Sequence, residues 1–554
     1  MNRFSLNSLS AWLKGGFNKW RLVFLVFAVV YAFFLLLDLS LSPIQWDEIT
    51  HLNGGLLLLR GQSREYLDLS AFYPPLFDVV TTGFFSVAGV SVFSGRVVAV
   101  IFSLLSLWVV FEFAYRMYGP KVALISSILF GIMPGYFWLS RMAMIETMLV
   151  FFFTVSMLFF FNWLRNHQIW SLALSGVALG LGFLTKYQIL VAGIIMIASI
   201  LLLCRGHLKA KFLRFPLLIL IVVAIAIPWI NESYQIYTSK MLDKWMYALQ
   251  VGNPEKLAYS TRFDLPVWLQ VPMFYLIEMT WPYSDVHPIS LFLYIFGLLG
   301  LGYFAWRRKP EDKFLLTWFF VVYIFFTLIS NKHWRYVIPI FPVLAISAAS
   351  LMLFAYNKLE KTWRSSQISV NKKRVVKVAA VFFTVTVAVS VFFSVSDAYY
   401  WVAKDQIEIP IEAATNYAAT RLSENESIMV ICAFNLFSQD MVRFYLYADG
   451  TKHNPVLQYP ELPVDTYTPD FDINEFILLC EENNVKYVFT YEFGGDVPYF
   501  NTTLTLMDVY QKFYDSGRFA YLSGNASVEA LIKDGSIPAF GTTPRRIIIL
   551  SFVD

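Results

Sequence analysis

The sequence predicts a mostly α-helical membrane protein, a polytopic bundle of about eleven spans followed by a small α/β domain. The chain of 554 residues is 57% hydrophobic, with a mean hydropathy of +0.57, and this is too apolar for a soluble protein. Long uncharged runs recur up to position 400, and each is long enough for a helix to cross a bilayer. Residues 401–554 are polar and mixed in pattern. We therefore expect a transmembrane domain at 1–400 and a soluble domain at 401–554.

The predicted spans are runs with few or no charged residues. They lie at 22–37, 97–115, 122–140, 147–164, 168–185, 187–204, 215–231, 288–306, 314–331, 336–357 and 378–396. A further run at 79–95 is only weakly apolar, contains three glycines and follows the sequence YPPL. This pattern favours an interfacial helix opened by proline, with a short true span as the alternative.

The distribution of Lys and Arg predicts the orientation of the spans. If 79–95 does not cross, the predicted cytoplasmic loops hold 17 Lys and Arg and the short outward loops hold 4. Those cytoplasmic loops are 116–121, 165–167, 205–214, 307–313 and 357–374. Cytoplasmic loops are richer in Lys and Arg, so eleven spans with a cytoplasmic N-terminus are favoured. The first loop, at 43–96, the loop at 232–287 and the C-terminal domain are then extracytoplasmic.

Composition also excludes some classes of function. Residues 401–554 hold 10 basic and 21 acidic residues, a net charge of −11, and the remainder holds 33 and 18, a net charge of +15. The basic excess lies in short loops, where it indicates orientation and not nucleic-acid binding. Three cysteines are too few for a disulfide framework or a metal cluster.

Acidic residues stand at the predicted outer membrane face. Asp47 and Glu48 follow the first span, and Glu146 stands at the junction of two later spans. Carboxylates are costly near a bilayer and usually mark function. If the first-loop segment is helical, Asp47 and His51 lie on one side of it. For the Lys and Arg residues at this level, snorkelling membrane anchors remain the alternative.

This combination of charges suits group transfer from a lipid phosphate. Arg and Lys can hold the phosphate oxygens and stabilise the charge that develops as the phosphate leaves. A carboxylate can take the proton from an incoming hydroxyl. The sequence therefore predicts a base, one or two cations and an apolar groove for an isoprenoid.

An ordered set of motifs resembles the GT-C superfamily of membrane glycosyltransferases. These motifs are QWDEITHLNGG, YPPLFDVV, WLSRMAMIETM, LGLGFLTKYQ and RYVIPIFP. The similarity covers residues 20–360 and is greatest to the branch of protein O-mannosyltransferases and ArnT-like aminoarabinose transferases. It implies an integral-membrane glycosyltransferase. Such an enzyme takes a sugar from a polyprenyl-phosphate donor and passes it, with inversion, to a lipid, glycan or protein on the extracytoplasmic face.

The resemblance implies roles for the acidic residues and for the YPPL motif. Asp47 matches the family's catalytic acid and is expected to be the base, with Glu48 as the second member of its Asp-Glu pair. Glu146 stands where many relatives have Asp. Tyr73 replaces the Lys that relatives have before PPL, which puts a phosphate contact in doubt.

Further matches supply substrate-binding candidates. Lys186 matches the LTK motif, Arg335 and Tyr336 match RYxxPxxP, and His287 loosely matches a His-Pro before a span. Arg141 belongs to the same outward turn as Glu146. No metal or other cofactor is expected to be required. A divalent metal held by Asp47, Glu146 and His287 remains an alternative.

Residues 401–554 contain strand-like runs SIMVICAF, VKYVFTYEF and RRIIILSFVD alternating with helix-like stretches. This alternation predicts an α/β domain, and it holds no nucleophile motif or phosphate loop. A cap or acceptor-docking domain is therefore expected.

The alternative function for the whole chain is a membrane transporter or flippase of lipid-linked glycans, which predicts charges at mid-membrane and a repeated half. The sequence leaves the sugar and the acceptor open.

Overall fold

The computed structural model describes residues 19–69, 73–237, 266–281, 287–329, 332–365, 369–404, 409–431, 437–459, 472–491, 506–519, 528–542 and 545–553. The chain forms two compact units. The first comprises residues 1–37, 70–77 and 96–404, and the second comprises 38–69, 78–95 and 405–554. The first loop thus belongs largely to the same unit as the C-terminal domain.

Every secondary-structure element in the described residues of the first unit is a helix. Its helices are α1 (Lys19–Leu36), α5 (Val92–Tyr118), α6 (Pro120–Gly131), α7 (Pro134–Leu139), α8 (Glu146–Asn166), α9 (Ile169–Phe183), α10 (Val191–Leu203), α11 (Leu208–Tyr237), α12 (Val267–Glu278), α13 (Leu291–Arg307), α14 (Pro310–Leu328), α15 (Phe341–Arg364) and α16 (Val370–Lys404). Short 3₁₀ turns lie at Tyr187–Leu190, Arg205–His207 and Trp334–Ile340. Helix α5 begins within the second unit.

Within the described residues, six helical segments are long and apolar enough to cross a membrane. They are Lys19–Leu36, Val92–Tyr118, Glu146–Asn166, Arg205–Ile236, Trp334–Arg364 and Val370–Ala403. Five shorter apolar helices accompany them, among them Leu76–Ala88, which covers the start of the ambiguous 79–95 run. Its 13 residues reach about 20 Å, less than the ~30 Å hydrocarbon core. The chain is a multi-pass membrane protein, and the count of eleven crossings stays a prediction.

Small residues allow the helices of the first unit to pack closely. A Cβ added at Gly300 on α13 would overlap the backbone of Ser347 on α15. The Ser347 hydroxyl also donates to the carbonyl of Gly297 at 2.8 Å. A Cβ at Gly180 on α9 would come within 2.9 Å of Ile225 on α11. Membrane helices associate through such close backbone approach, because lipid offers no hydrophobic drive between helices.

A buried ion pair joins the end of α13 to the start of α14. Arg307 Nε donates to Asp312 Oδ2 at 2.8 Å, and the Tyr118 hydroxyl donates to Asp312 Oδ1 at 2.8 Å. Asp312 also accepts from the Lys309 amide, so it caps α14 as well. This cluster lies in two of the predicted cytoplasmic loops, 116–121 and 307–313, and it fixes the connection between α13 and α14.

The second unit holds the first-loop helices and an α/β fold. Its helices are α2 (Trp46–Leu59), α3 (Ser63–Leu69), α4 (Leu76–Ala88, of which the first two residues belong to the first unit), α17 (Ile411–Ala419), α18 (Gln439–Tyr447), α19 (Ile473–Glu482), α20 (Leu506–Ser516) and α21 (Val528–Asp534). Its strands are β1 (Ser427–Ile431), β2 (Val456–Tyr459), β3 (Val485–Tyr491), β4 (Ala539–Phe540) and β5 (Ile547–Ser551).

The strands form one mixed five-stranded sheet in the order β2-β1-β3-β5-β4. Strand β1 runs parallel to β2 and β3, whereas β5 is antiparallel to β3 and β4. The three predicted strands correspond to β1, β3 and β5, and helices α17, α18 and α19 alternate with the strands, as the sequence pattern predicts. The predicted fold class, a helical membrane bundle with a small α/β domain, is confirmed.

Hydrogen bonds tie α2 of the first loop to α18 of the C-terminal segment. Asn53 Nδ2 donates to the carbonyl of Asp440 at 2.9 Å. Arg60 Nη2 donates to the carbonyls of Ala448 at 2.7 Å and Tyr447 at 3.2 Å. Arg60 therefore satisfies carbonyls at the C-terminal end of α18 that have no partner within the helix. The domain division at residue 400 stays a prediction.

Candidate functional site

Three predicted site residues from distant parts of the first unit meet at one carboxylate. Glu146 begins α8, and its side chain is only 3% exposed. Lys186 Nζ lies 3.0 Å from Glu146 Oε1, and Arg335 Nη1 lies 3.7 Å from the same oxygen. Lys186 follows α9, and Arg335 lies in the 3₁₀ turn after α14. We call Glu146, Lys186 and Arg335 the cation cluster.

The cation cluster carries one more positive than negative charge. Glu146 is buried, whereas the side chains of Lys186 and Arg335 are 18% and 21% exposed. The carboxylate thus holds the two cations together while both retain a solvent-facing part. A partly exposed pair of cations with a net charge of +1 can bind an anion, and the guanidinium can bind phosphate oxygens in a bidentate way.

Neighbouring groups hold the cations in place. Lys186 Nζ lies 5.8 Å from the centre of the Tyr336 ring, within cation–π range. Gln188 donates to the Tyr336 carbonyl. His333 Nδ1 accepts from the Arg335 amide at 3.1 Å, and Arg335 Nη1 lies 3.6 Å from Met144 Sδ. The structure therefore places Tyr336 in the same group as Lys186 and Arg335.

Two further candidates, Tyr73 and His287, lie near backbone contacts with segments that carry the cation cluster. The Leu76 amide donates to the Leu184 carbonyl at 2.8 Å, so the YPPL motif with half-buried Tyr73 lies against the end of α9. The Gly135 amide donates to the Pro288 carbonyl at 2.9 Å. A Cβ at Gly135 would lie 2.9 Å from Pro288 and 3.0 Å from the Trp334 ring. Half-buried His287 therefore precedes a segment packed beside the turn that holds Arg335.

Two cations of this region are engaged at helix ends. Arg141 is 3% exposed, and its Nη1 donates to the carbonyls of Leu35 at 2.8 Å and Phe34 at 2.9 Å, at the end of α1. Lys332 donates to the carbonyls of Thr327 and Ile329 at 2.6 and 2.7 Å, at the end of α14. Burial lowers the pKa of Lys332 to about 8. These contacts stabilise C-terminal carbonyls, and the substrate-binding role of Arg141 stays a prediction.

The predicted acidic pair lies in the second unit, in the first turn of α2. Asp47 is half-buried, and Glu48 is fully buried. The Gln45 amide donates to Glu48 Oε2 at 3.2 Å, so Glu48 caps the helix whose first turn holds Asp47. The segment is helical from Trp46 to Leu59, so Asp47 and His51 do lie one turn apart on one side of it.

Sequence reasoning missed a buried histidine–carboxylate pair between His51 on α2 and Asp78 on α4. His51 Nδ1 lies 2.8 Å from Asp78 Oδ1, and the two side chains are 2% and 1% exposed. The Tyr66 hydroxyl donates to Asp78 Oδ2 at 3.3 Å. His51 was expected to matter for its spacing from Asp47, and Asp78 stands in the quoted YPPLFD motif. Their separation of 27 residues gives no sequence signal of contact.

Among the described residues, no group of three or more His, Cys, Asp and Glu side chains is arranged to hold a metal ion. Whether a cofactor takes part stays a prediction.

Residues 73–231 match the family model described as dolichyl-phosphate-mannose-protein mannosyltransferase. The undecaprenyl phosphate-alpha-4-amino-4-deoxy-L-arabinose arabinosyl transferase of Pectobacterium atrosepticum is 24% identical over 264 residues, 47% of this chain and 45% of that protein. That of Yersinia pseudotuberculosis is 25% identical over 231 residues, 40% of this chain and 37% of that protein. The matched region thus spans less than half the length of these relatives.

Solved structures match over a much greater length. ArnT from Cupriavidus metallidurans bound to undecaprenyl phosphate has a TM-score of 0.57 at 14% identity, covering 97% of this chain and 98% of that one. The Archaeoglobus fulgidus oligosaccharyltransferase tethered to an acceptor peptide has a TM-score of 0.53 at 14% identity, covering 87% and 70%. At this identity the likeness shows the fold. This chain therefore has the fold of ArnT from Cupriavidus metallidurans, and residues 73–231 are similar in sequence to the dolichyl-phosphate-mannose-protein mannosyltransferase family.

Proposed function

We propose that this chain is an integral-membrane glycosyltransferase that uses a polyprenyl-phosphate-linked sugar. It moves the sugar to a hydroxyl of a lipid, glycan or protein acceptor on the extracytoplasmic face. The observation that carries the proposal is the cation cluster, in which Lys186 and Arg335 share the buried carboxylate of Glu146. Relatives named for undecaprenyl-phosphate-linked arabinose transfer, and ArnT bound to undecaprenyl phosphate, support this class of donor.

The cation cluster would bind the phosphate of the donor. Lys186 and Arg335 are preorganised by Glu146, so they need no rearrangement to meet the negative charge that grows on the leaving phosphate. Tyr336, and Tyr73 on the segment against α9, would contact the same headgroup. Many apolar side chains of the spans are exposed on the protein surface, as expected for helices that contact lipid and an isoprenoid chain.

Asp47 would act as the base of the reaction. The acceptor oxygen attacks the anomeric carbon of the sugar, its proton passes to the Asp47 carboxylate, and the bond from that carbon to the phosphate oxygen breaks. The polyprenyl phosphate leaves with the bonding electrons. Attack on the face opposite the leaving group inverts the configuration. Glu48 supports this role by capping the helix that carries Asp47.

The test is sugar transfer by the purified protein in lipid nanodiscs. Radiolabelled sugars on polyprenyl phosphate are supplied with glycolipid, oligosaccharide and peptide acceptors. The variants are Asp47→Asn and Arg335→Gln, with Glu424→Gln and Arg364→Gln as exposed matched controls. We expect transfer by the wild type and both controls, at least a hundredfold loss with Asp47→Asn, and weakened donor use with Arg335→Gln.

The outcomes separate the alternatives. Full activity of a folded Asp47→Asn variant would refute the role of Asp47 and move the base to Glu48 or Glu146. Absence of transfer from every donor, together with movement of a fluorescent lipid-linked sugar across liposomes, would refute the glycosyltransferase and favour the transporter or flippase.

A further inference from the structure

The second unit contains a polar cavity formed by first-loop helices and the C-terminal α/β fold. Its volume is about 550 Å³, within the usual range for ligand sites. Leu57 and Gln62 of the first loop and Arg443 of α18 contribute to its wall. Exposed His453 and exposed Glu65 lie at its solvent side. None of these side chains has a role in the proposed transfer.

Two buried polar atoms in this wall have no hydrogen-bond partner among the residues that the structure describes. They are Gln62 Oε1, an acceptor, and Arg443 Nε, a donor. Gln62 Nε2 donates to Glu65 Oε2 at 2.7 Å, and this hydrogen bond fixes the orientation of the Gln62 side-chain amide. A buried polar group that stays unsatisfied is costly, and a ligand that supplies one donor and one acceptor would satisfy this pair.

The remaining lining narrows the class of ligand. Arg443 is paired with Asp440, and Glu65 adds a second carboxylate. Arg60, which donates to the Tyr447 carbonyl, adds a second cation, so the local charges balance and a neutral ligand is favoured over an anion such as a lipid phosphate. The rings of Tyr447 and His453 lie 5.7 Å apart and supply flat surface beside the polar groups. A neutral saccharide fits this lining, because it presents adjacent hydroxyls that both donate and accept, together with apolar C–H faces.

The cavity lies along the same helix as the proposed base. Leu57 in its wall is ten residues after Asp47 on α2, which corresponds to about 15 Å along the axis. We propose that the cavity binds the distal part of an extended neutral oligosaccharide acceptor while its reacting hydroxyl lies near Asp47. This proposal rests on the proposed function and narrows its acceptor to glycans.

The test is direct binding by the full-length protein in nanodiscs. Saturation-transfer NMR is run with maltotriose, mannotriose, galactobiose, chitobiose and arabinotriose. Gln62→Met removes the acceptor, and Arg443→Lys removes the Nε donor while it keeps a cation beside Asp440. The matched controls are Gln511→Met and Arg518→Lys. Gln511 and Arg518 also bind carboxylates, Asp515 and Glu481, but lie outside the cavity wall.

We expect at least one oligosaccharide to bind the wild type and both controls, with at least tenfold weaker binding by each cavity variant. The same variants should raise the KM for that acceptor and leave the KM for the lipid-linked donor unchanged. No binding by the wild type, or equal binding by the cavity variants, would overturn the proposal.

A second readout separates this proposal from the proposed function. Wild-type protein that transfers sugar to a peptide, with a KM that the cavity variants do not change, would refute the saccharide site and leave the glycosyltransferase intact. Oligosaccharide binding with no cleavage of any donor would refute the glycosyltransferase and with it the acceptor role of the cavity.

Discussion

At the residue scale, Glu146 organises the cation cluster, and its removal should be costly. Glu146→Gln leaves Lys186 and Arg335 close together without their shared carboxylate. We expect a loss of roughly 3 kcal/mol, the lower end for breaking a buried ion pair, because both cations keep some solvent contact. Thermal unfolding of the purified protein measures it, and added undecaprenyl phosphate should restore more stability to the variant than to the wild type.

The control for that experiment is Glu311→Gln. Glu311 lies 3.5 Å from Arg165, whose side chain is 54% exposed, so its loss should change stability little. Equal unfolding temperatures for Glu146→Gln and wild type would contradict a buried pair. Equal stabilisation of both by undecaprenyl phosphate would contradict a phosphate site at this cluster.

The pair of His51 and Asp78 gives a second prediction at this scale. Asp78→Asn keeps the shape of the side chain, but it removes the charge that strengthens the contact with His51 at 2.8 Å. We expect a loss of about 1–2 kcal/mol in unfolding free energy, measured by denaturant titration. Tyr66→Phe removes only a 3.3 Å hydroxyl contact to the same carboxylate and should cost less. An Asp78→Asn variant as stable as wild type would show that charge contributes nothing here.

At the element scale, α2 and α4 can approach closely because Gly54 on α2 has no side chain. A Cβ at Gly54 would lie 2.6 Å from Asp78 Oδ2, whereas a Cβ at Gly83 on α4 would meet nothing within 4 Å. Gly54→Ala should therefore destabilise the protein by roughly 1–3 kcal/mol through overpacking. Gly83→Ala should stabilise it by roughly 0.5–1 kcal/mol, since alanine favours a helix. Unfolding of the two variants compares them directly, and equal effects would refute the close approach.

The elements themselves were largely predictable from hydropathy and turn residues. The breaks within the elements were not predicted. The predicted span 122–140 is two helices, because Pro134 begins a new one. Strands β2 and β4 were missed, since runs of 4 and 2 residues are too short for a period to be recognised. The acids and cations were recognised singly as candidates, but the meeting of Glu146 with Lys186 and Arg335 depends on helix packing that no local pattern encodes.

At the scale of the whole molecule, the second unit bears on membrane topology, because it contains both first-loop residues and the C-terminal segment. Asn53 and Arg60 of the first loop donate to carbonyls on and just after α18, so the first loop and the C-terminal segment belong to one side of the membrane. The excess of Lys and Arg in loops such as 357–374 independently predicts that this side is extracytoplasmic. An even number of crossings must then separate the first loop from residue 405, as eleven spans require.

Cysteine labelling tests this topology in one experiment. Single cysteines replace Arg64 in the first loop, Glu424 in the C-terminal domain and Lys361 in the loop 357–374, with native Cys204, Cys432 and Cys480 changed to Ser. We expect a membrane-impermeant maleimide to label the first two sites in intact cells, and Lys361→Cys only after permeabilisation, with full labelling of all three as the control. Labelling of Arg64→Cys and Glu424→Cys from opposite sides would mean an odd number of crossings between them, as an added span at 79–95 would give. Labelling of Lys361→Cys alone in intact cells would invert the orientation and place Asp47 on the cytoplasmic side, against the proposed extracytoplasmic transfer.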